Sequence, residues 1–248
     1  MNLNAKKDVI RIDVLFDRLI TEFQGIYKET ESKVPKNEFY KFSVHFDIWI
    51  RLLKYLRPFF VNDKFNSLLL LRFLELQKQL SLLHFSVLSG GYRQSIHELR
   101  YILESAIQAY YIDKNHPKAT FECKLEVLKE MNMMVGGRLI DQTDLKHKEE
   151  LKKLYSDLSK HVHSSYDKLR PVIEMGEFHH NLTFAFNKRM FDECINFTDR
   201  TMDAYLFLIF YFKQEIIPEI KDDHKLLGSL RDNNYKISLK FIKNKKMN

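Results

Sequence analysis

The most informative polar pattern in the chain is the segment 92–111, YRQSIHELRYILESAIQAYY. Projected at about 100° per residue, this segment forms an apolar stripe along one side of a helix. Beside it lies a second stripe made of Arg93, His97, Arg100, Glu104 and Tyr111. These side chain types form directed hydrogen bonds, and Arg100 and Glu104 are four residues apart, the spacing of an ion pair within a helix. The pattern leaves three interpretations open: a solvated helix face, a buried arginine–glutamate network, or a ligand-binding or catalytic site.

A second polar pattern lies in Leu154–Asp167, LYSDLSKHVHSSYD. Tyr155, Ser159 and His163 follow one another at intervals of four and therefore stack along one side of a helix. Histidine acts as a general acid or base near neutral pH. His161 points elsewhere, so the HVH sequence does not have the spacing of two metal ligands on one helix face. The alternative for His163 is a histidine at the edge of the core, bonded to a neighbouring helix.

Together the two segments resemble a loosely defined group of prokaryotic all-helical proteins related to the HEPN-like helical bundles. The motifs of that group are Gly-x-Tyr/Arg…Leu-Arg-x-x-x-Glu and Tyr-x-x-x-Ser-x-x-x-His, and the resemblance covers about residues 64–168. The matching residues here are Gly90, Tyr92, Leu99, Arg100, Glu104, Tyr155, Ser159 and His163. The resemblance implies a dimeric, metal-independent ribonuclease or an RNA-binding module of a toxin–antitoxin or phage-defence system. It implies no cofactor, and an antitoxin or another defence protein as a partner.

One departure from that group bears on catalysis. Active HEPN nucleases carry an arginine followed by four to six residues and then a histidine on one helix. No arginine precedes His163 at that spacing, and Arg93 and His97 are separated by only three residues. The arginine would therefore have to come from Arg100 or Arg93 on a neighbouring helix, or the chain has lost catalysis.

Two main hypotheses follow for these residues. In the first, the protein acts on RNA: His163, Arg100 and Glu104 are catalytic and bind no metal, and the binding residues are Arg93, His97, Tyr155 and Ser159. In the second, the protein is a non-catalytic interaction or dimerisation module, and the same polar residues form a structural network. A third possibility is a small-molecule sensor with an aromatic pocket. Convergence of Arg100, Glu104 and His163 at an open cleft would favour the first hypothesis, and convergence in a closed core the second.

The composition predicts the fold class. The 248 residues include only 7 glycines and 5 prolines, whereas sheet folds with many tight turns need more of both. We expect an all-α bundle of about seven helices in a single domain over residues 1–230, with a short tail at 231–248. The least periodic stretch, Gly176–Phe186, is the expected loop. The helices are expected at about 5–31, 38–60, 64–88, 91–114, 119–135, 144–168 and 187–216.

The net charge of +7 is concentrated in the tail, where residues 231–248 carry six basic side chains and one acid. The rest of the chain is close to neutral, so a broad basic surface for nucleic acid is not expected. The tail itself could contact phosphates, since such attraction needs no sequence recognition. Ile237, Leu239 and Phe241 alternate with other residues, so a strand or extended arm is as consistent with the pattern as a helix. A frayed terminus is the alternative.

Two further features concern the environment of the protein. Cys123 and Cys194 belong to no motif, which fits a reducing compartment. The longest apolar run, Ala204–Phe212, has nine residues, whereas a membrane span needs about 20. The N-terminal sequence has charges where a signal peptide needs an apolar run. We therefore expect a cytoplasmic protein with no membrane partner.

Overall fold

The computed structural model describes residues 21, 23–39, 41–62, 66–131, 137–162 and 186–245 of the chain. In this part it contains helices and no strand, which confirms the all-α class. Eleven α-helices are assigned within the described ranges, so the expected number of about seven is not confirmed, and residues 23–33 are also helical. The helices are α1 Lys36–Phe39, α2 Lys41–Asn62, α3 Leu68–Leu88, α4 Tyr92–Asn115, α5 Phe121–Glu130, α6 Gly137–Gln142, α7 Lys148–Val162, α8 Lys188–Phe212, α9 Ile217–Asp222, α10 His224–Asp232 and α11 Lys236–Asn244.

Helices α4 and α8 form the centre of the bundle. Helix α4 packs against α3, α7 and α8, and α8 also packs against α11. Every side chain from Thr201 to Phe210 is buried, so the surrounding helices cover α8 on all sides. A helix that is apolar all round is buried in this way in large domains. Helix α8 is therefore the central helix of the bundle.

A glycine turn sets the arrangement of α3 and α4. Gly90 has a φ of 78°, a left-handed conformation that favours glycine. The amide of Gly91 donates to the Ser86 carbonyl across 2.7 Å and closes the end of α3. Because the chain reverses here, α3 and α4 pack along each other as a hairpin. This hairpin presents the polar side of α4 to α7.

A buried ion pair joins α4 to α5 and to the start of α3. Lys124 Nζ lies 2.9 Å from Asp113 Oδ1, and the two side chains are 4% and 1% exposed. The Asp113 carboxylate also accepts hydrogen bonds from the amides of Leu68 and Leu69 and from the Ser67 hydroxyl. A carboxylate is favourable at a helix N-terminus because the amides there have no partner within the helix. The pair therefore fixes where α3 begins.

The C-terminal part of the chain differs in two ways from what the sequence predicted. The short helices α9 and α10, and α6 earlier in the chain, were not expected from the sequence, since helices of six to nine residues show little periodicity. Pro218 lies in the first turn of α9 and therefore begins a helix. The tail over Lys236–Asn244 is a helix with Phe241 and Ile242 buried, so a strand and a frayed terminus are both wrong for these residues.

The reason for the helical tail lies in α8. The Asp203 carboxylate accepts from the amides of Ile237 across 2.8 Å and Ser238 across 2.9 Å, and thereby satisfies the first turn of α11. The Phe241 ring then packs edge-on against Phe207 of α8, with centroids 5.6 Å apart. The alternation of apolar residues in the tail left a strand and a helix open, and a distant acid and an aromatic contact determine the helix.

Candidate functional site

The two polar segments singled out in the sequence meet where α4 packs against α7. Arg100 Nε donates to Glu104 Oε1 across 3.0 Å, one turn along α4. Arg100 Nη2 donates to the Tyr155 hydroxyl of α7 across 2.8 Å. The guanidinium carbon also lies 5.2 Å from the centroid of the Tyr155 ring. Arg100, Glu104 and Tyr155, together with Ser159 on the next turn of α7, are called the Arg100 cluster below.

The Arg100 cluster is half-buried, and its electrostatics keep the arginine charged. The side chains of Arg100 and Glu104 are 19% and 18% exposed. Burial lowers the pKa of Arg100, but the Glu104 carboxylate and the Tyr155 hydroxyl outweigh it and raise that pKa overall. Burial, and then the Glu104 carboxylate, raise the pKa of Tyr155, so this tyrosine is a neutral phenol at physiological pH. The cluster therefore holds a permanent cation close to a neutral hydroxyl.

The remaining predicted site residues fall into three groups. Ser159 Oγ is buried and has no hydrogen-bond partner within the part of the chain that the structure describes. Arg93 and His97 are exposed on the same side of α4, two turns and one turn before Arg100. His163 follows directly after α7 and lies outside the described residues, as do most of the expected loop and the end of the helix expected to 168. The geometry thus joins Arg100 and Glu104 to Tyr155, and leaves the position of His163 as a prediction.

A second polar network was not anticipated from the sequence. His45 Nδ1 and the Tyr235 hydroxyl share a hydrogen bond of 2.5 Å, and His45 Nε2 lies 3.4 Å from Asp199 Oδ1. Lys41 Nζ completes the network 2.5 Å from Asp199 Oδ2. His45 and Tyr235 are buried and Asp199 is nearly so, so the network ties α2, α8 and the start of α11 together. The available signal was Asp203, an acid at the start of the apolar second half of α8, with Asp199 one turn before it.

Next to this network, a cleft of about 530 Å³ lies between α7, α8 and α11. Three exposed lysines, Lys153, Lys236 and Lys240, line it together with Arg200. Cavities of this volume are in the range of small-molecule and cofactor sites. No residue of the Arg100 cluster lines the cleft, so it is a separate feature of the surface.

Among the described side chains, no group of three or more His, Cys, Asp or Glu residues is placed to hold a metal ion. No helix in the described ranges has both the length and the apolar character that crossing a bilayer requires. Cys123 is exposed and Cys194 is buried, and both are free thiols.

Comparison with known proteins gave no match to a protein-family model, to a curated protein or to a solved structure.

Proposed function

We propose that this chain is a divergent HEPN-like helical protein that binds RNA and cleaves it without a metal ion, as part of a toxin or phage-defence system. The observation that supports this proposal is the contact between Arg100 and Tyr155, which sets the arginine-bearing side of α4 against the helix that leads to His163. Glu104, on the next turn of α4, orients the arginine by accepting a hydrogen bond from Arg100 Nε across 3.0 Å.

The chemistry assigned to these residues is simple. RNA supplies its own 2′-hydroxyl as the nucleophile, so cleavage without metal needs a general acid or base and a cation for the phosphate. In the proposal, the 2′-oxygen forms a bond to phosphorus while the bond from phosphorus to the 5′-oxygen breaks, which gives a 2′,3′-cyclic phosphate and a free 5′-hydroxyl. His163 takes the proton of the 2′-hydroxyl or gives a proton to the leaving 5′-oxygen, water exchanges the other proton, and Arg100 stabilises the developing charge on the phosphate. Arg93 and His97, which lie two turns and one turn before Arg100 on the same side of α4, contact the RNA backbone.

The test is RNA degradation by the purified full chain in the presence of a chelator. We expect the wild type to cleave and His163→Ala to be inactive. His116→Ala, at an exposed histidine just after α4, is the matched control and should cleave like the wild type. If wild type and His163→Ala degrade RNA equally, the catalytic assignment is wrong. If neither degrades RNA but both bind it, and Arg93→Gln weakens that binding, the function is RNA binding alone.

A second candidate function is a non-catalytic interaction module in which the Arg100 cluster is structural. It is favoured by the two hydrogen bonds that engage the Arg100 guanidinium inside the protein. In this case Arg100→Ala and His163→Ala both lower the thermal stability. Full stability of both variants would count against it, whereas a loss of cleavage with unchanged stability would favour the ribonuclease.

The proposal includes a homodimer. Supporting it, Tyr27 and Phe85 are large exposed side chains that line one apolar groove together with Phe23. Light scattering after size-exclusion chromatography measures the mass, and Phe85→Glu should convert a dimer to a monomer if this groove is the interface. A monomeric wild type at all concentrations would refute the dimer.

A further inference from the structure

The cleft between α7, α8 and α11 has more positive charge than its own acids compensate. Lys153, Lys236 and Lys240 are exposed at its edge. None of the three forms an ion pair with another described residue. Exposed lysines are usually scattered on the surface, but these three come from two helices and surround one concave site. Their arrangement concentrates cationic charge at one place on a body that is otherwise nearly neutral.

The acids that line the same cleft are already occupied by protein groups. Asp203 accepts from the first amides of α11, and Asp199 lies 2.5 Å from Lys41. Glu150 Oε1 is 2.9 Å from His147 Nδ1, and this contact is the largest cause of the lowered pKa of Glu150. Each of these carboxylates is held by a protein group, and Glu150 is also attracted by Lys240. The four cationic side chains that line the cleft still outnumber its three carboxylates.

The polar groups that remain suit an oxyanion. Arg200 lines the cleft and donates to Asp157 across 3.0 Å through Nη2, one of the three nitrogens of its guanidinium group. Asn196 and Asn234 are exposed at the cleft and carry amide donors. Lysine ammonium groups bind phosphate as point charges, and amide donors add direction.

From these contacts we infer that the cleft is a binding site for phosphate groups, supplied either by a free nucleotide or by the backbone of RNA. Lys153, Lys236 and Lys240 hold the charge of the phosphate, and Asn196 and Asn234 donate to its oxygens. The inference goes beyond the proposed function and does not rest on it, since no residue of the Arg100 cluster takes part.

The experiment compares two triple variants with equal loss of charge. Lys153→Gln/Lys236→Gln/Lys240→Gln removes the cleft lysines. The matched control replaces three exposed lysines outside the cleft, namely Lys78, Lys118 and Lys225, by glutamine. Each protein is titrated with adenosine monophosphate by calorimetry and with a short fluorescein-labelled single-stranded RNA by fluorescence polarisation. Circular dichroism confirms that both variants are folded.

Whichever probe the wild type binds, we expect the cleft variant to bind it at least about tenfold more weakly, which is a loss of about 1.4 kcal/mol or more of binding free energy. The control variant should stay within about twofold of the wild type. If RNA is the ligand, the plot of log binding constant against log salt concentration should also be less steep for the cleft variant. Each lost lysine–phosphate contact reduces the slope by about 0.7, so three lost contacts reduce it by about 2. Binding of adenosine monophosphate identifies a nucleotide site, and binding of RNA alone identifies a backbone site.

Four results would overturn the inference. The first is that the wild type binds neither probe, and the second is that the cleft variant binds like the wild type. The third is that both triple variants bind equally weakly, which would indicate a general electrostatic attraction to the protein surface. The fourth is that a polyglutamate peptide competes as well as the phosphate probe, which would indicate a site for acidic proteins. Arg93→Gln measured beside these variants separates the two proposals, because it alters the α4 surface and leaves the cleft intact.

Discussion

The hydrogen bond between Arg100 and Tyr155 predicts an energetic coupling between α4 and α7. Tyr155→Phe removes the hydroxyl that accepts from Arg100 Nη2 across 2.8 Å, and leaves the aromatic ring in place. Hydrogen bonds to charged groups contribute about 1.5–3 kcal/mol. Arg100 is 19% exposed, so water replaces part of the lost bond, and we expect a cost of about 1–2 kcal/mol. For a chain of this size that is a fall in Tm of about 2–8 °C.

The coupling is measured with a double-mutant cycle of Arg100→Met and Tyr155→Phe, using urea unfolding followed by circular dichroism. We expect a coupling energy of about 1 kcal/mol, because the two side chains share one bond. The matched control is Arg72 and Tyr101, where the same two groups are 3.4 Å apart and Tyr101 is 45% exposed. Exposed pairs of this kind contribute little, so the control coupling should be below about 0.5 kcal/mol. A coupling in the Arg100 cycle no larger than the control would refute the view that this bond holds α7 to α4.

Three further predictions concern buried and paired groups elsewhere. Asp113→Asn leaves a buried lysine without its partner and should lower the free energy of unfolding by about 3–5 kcal/mol in urea titrations; a loss below about 1 kcal/mol would contradict the buried pair. Burial raises the pKa of Cys194 to about 12, so a thiol reagent at about pH 8 should modify Cys123 alone in the native protein and both cysteines after unfolding; fast modification of both in the native state would refute this. Burial raises the pKa of Asp157, but Arg200 outweighs it and holds that pKa below its ordinary value of 3.8. The pair therefore stabilises the fold above that value and ceases to do so as the pH falls through the lowered pKa, so Asp157→Asn should flatten the loss of Tm below about pH 4. An unchanged dependence of Tm on pH in this variant would contradict the role of the Asp157–Arg200 pair.

The parts of the structure that the sequence predicts correctly are those set by local rules. The shortage of glycine and proline indicated long helices, and α2, α3, α4 and α8 lie close to their expected ranges. The pairing of Arg100 with Glu104 follows from their spacing of four on one helix. Whether Tyr155 reaches Arg100 depends on how α4 packs against α7, which helical periodicity does not determine. The sequence placed both residues in one candidate site but could not predict the bond between them.

The cleft was missed for a related reason. Its lysines belong to α7 and α11, about 80 residues apart, and neither segment has a motif that points to the other. The sequence set the tail apart from the body by its charge and did not predict where the tail packs. Asp203 determines that position, because an acid in the apolar second half of α8 needs a buried partner, and the amides of α11 provide it. Such an acid is the usable signal in the sequence.

The two helices that border the cleft are held by different contacts, which predicts that they open independently. Helix α7 is fixed to α4 by Arg100 and Tyr155 and to α8 by the ion pair of Asp157 and Arg200, whereas α11 is fixed to α8 by Asp203. Arg100→Met should therefore speed hydrogen exchange in residues 151–162 by about tenfold, the equivalent of 1.4 kcal/mol, without changing 236–244. Asp203→Asn should do the reverse.

Hydrogen–deuterium exchange followed by mass spectrometry resolves the two segments. The exposed pair of Arg72 and Tyr101 again provides the control, because Arg72→Met should change neither α7 nor α11. If Arg100→Met and Asp203→Asn each speed exchange in both helices equally, the cleft is bordered by one cooperative unit. Independent opening would instead mean that a ligand bound between Lys153 and Lys240 has to hold both helices at once, and it should then slow exchange in both segments together.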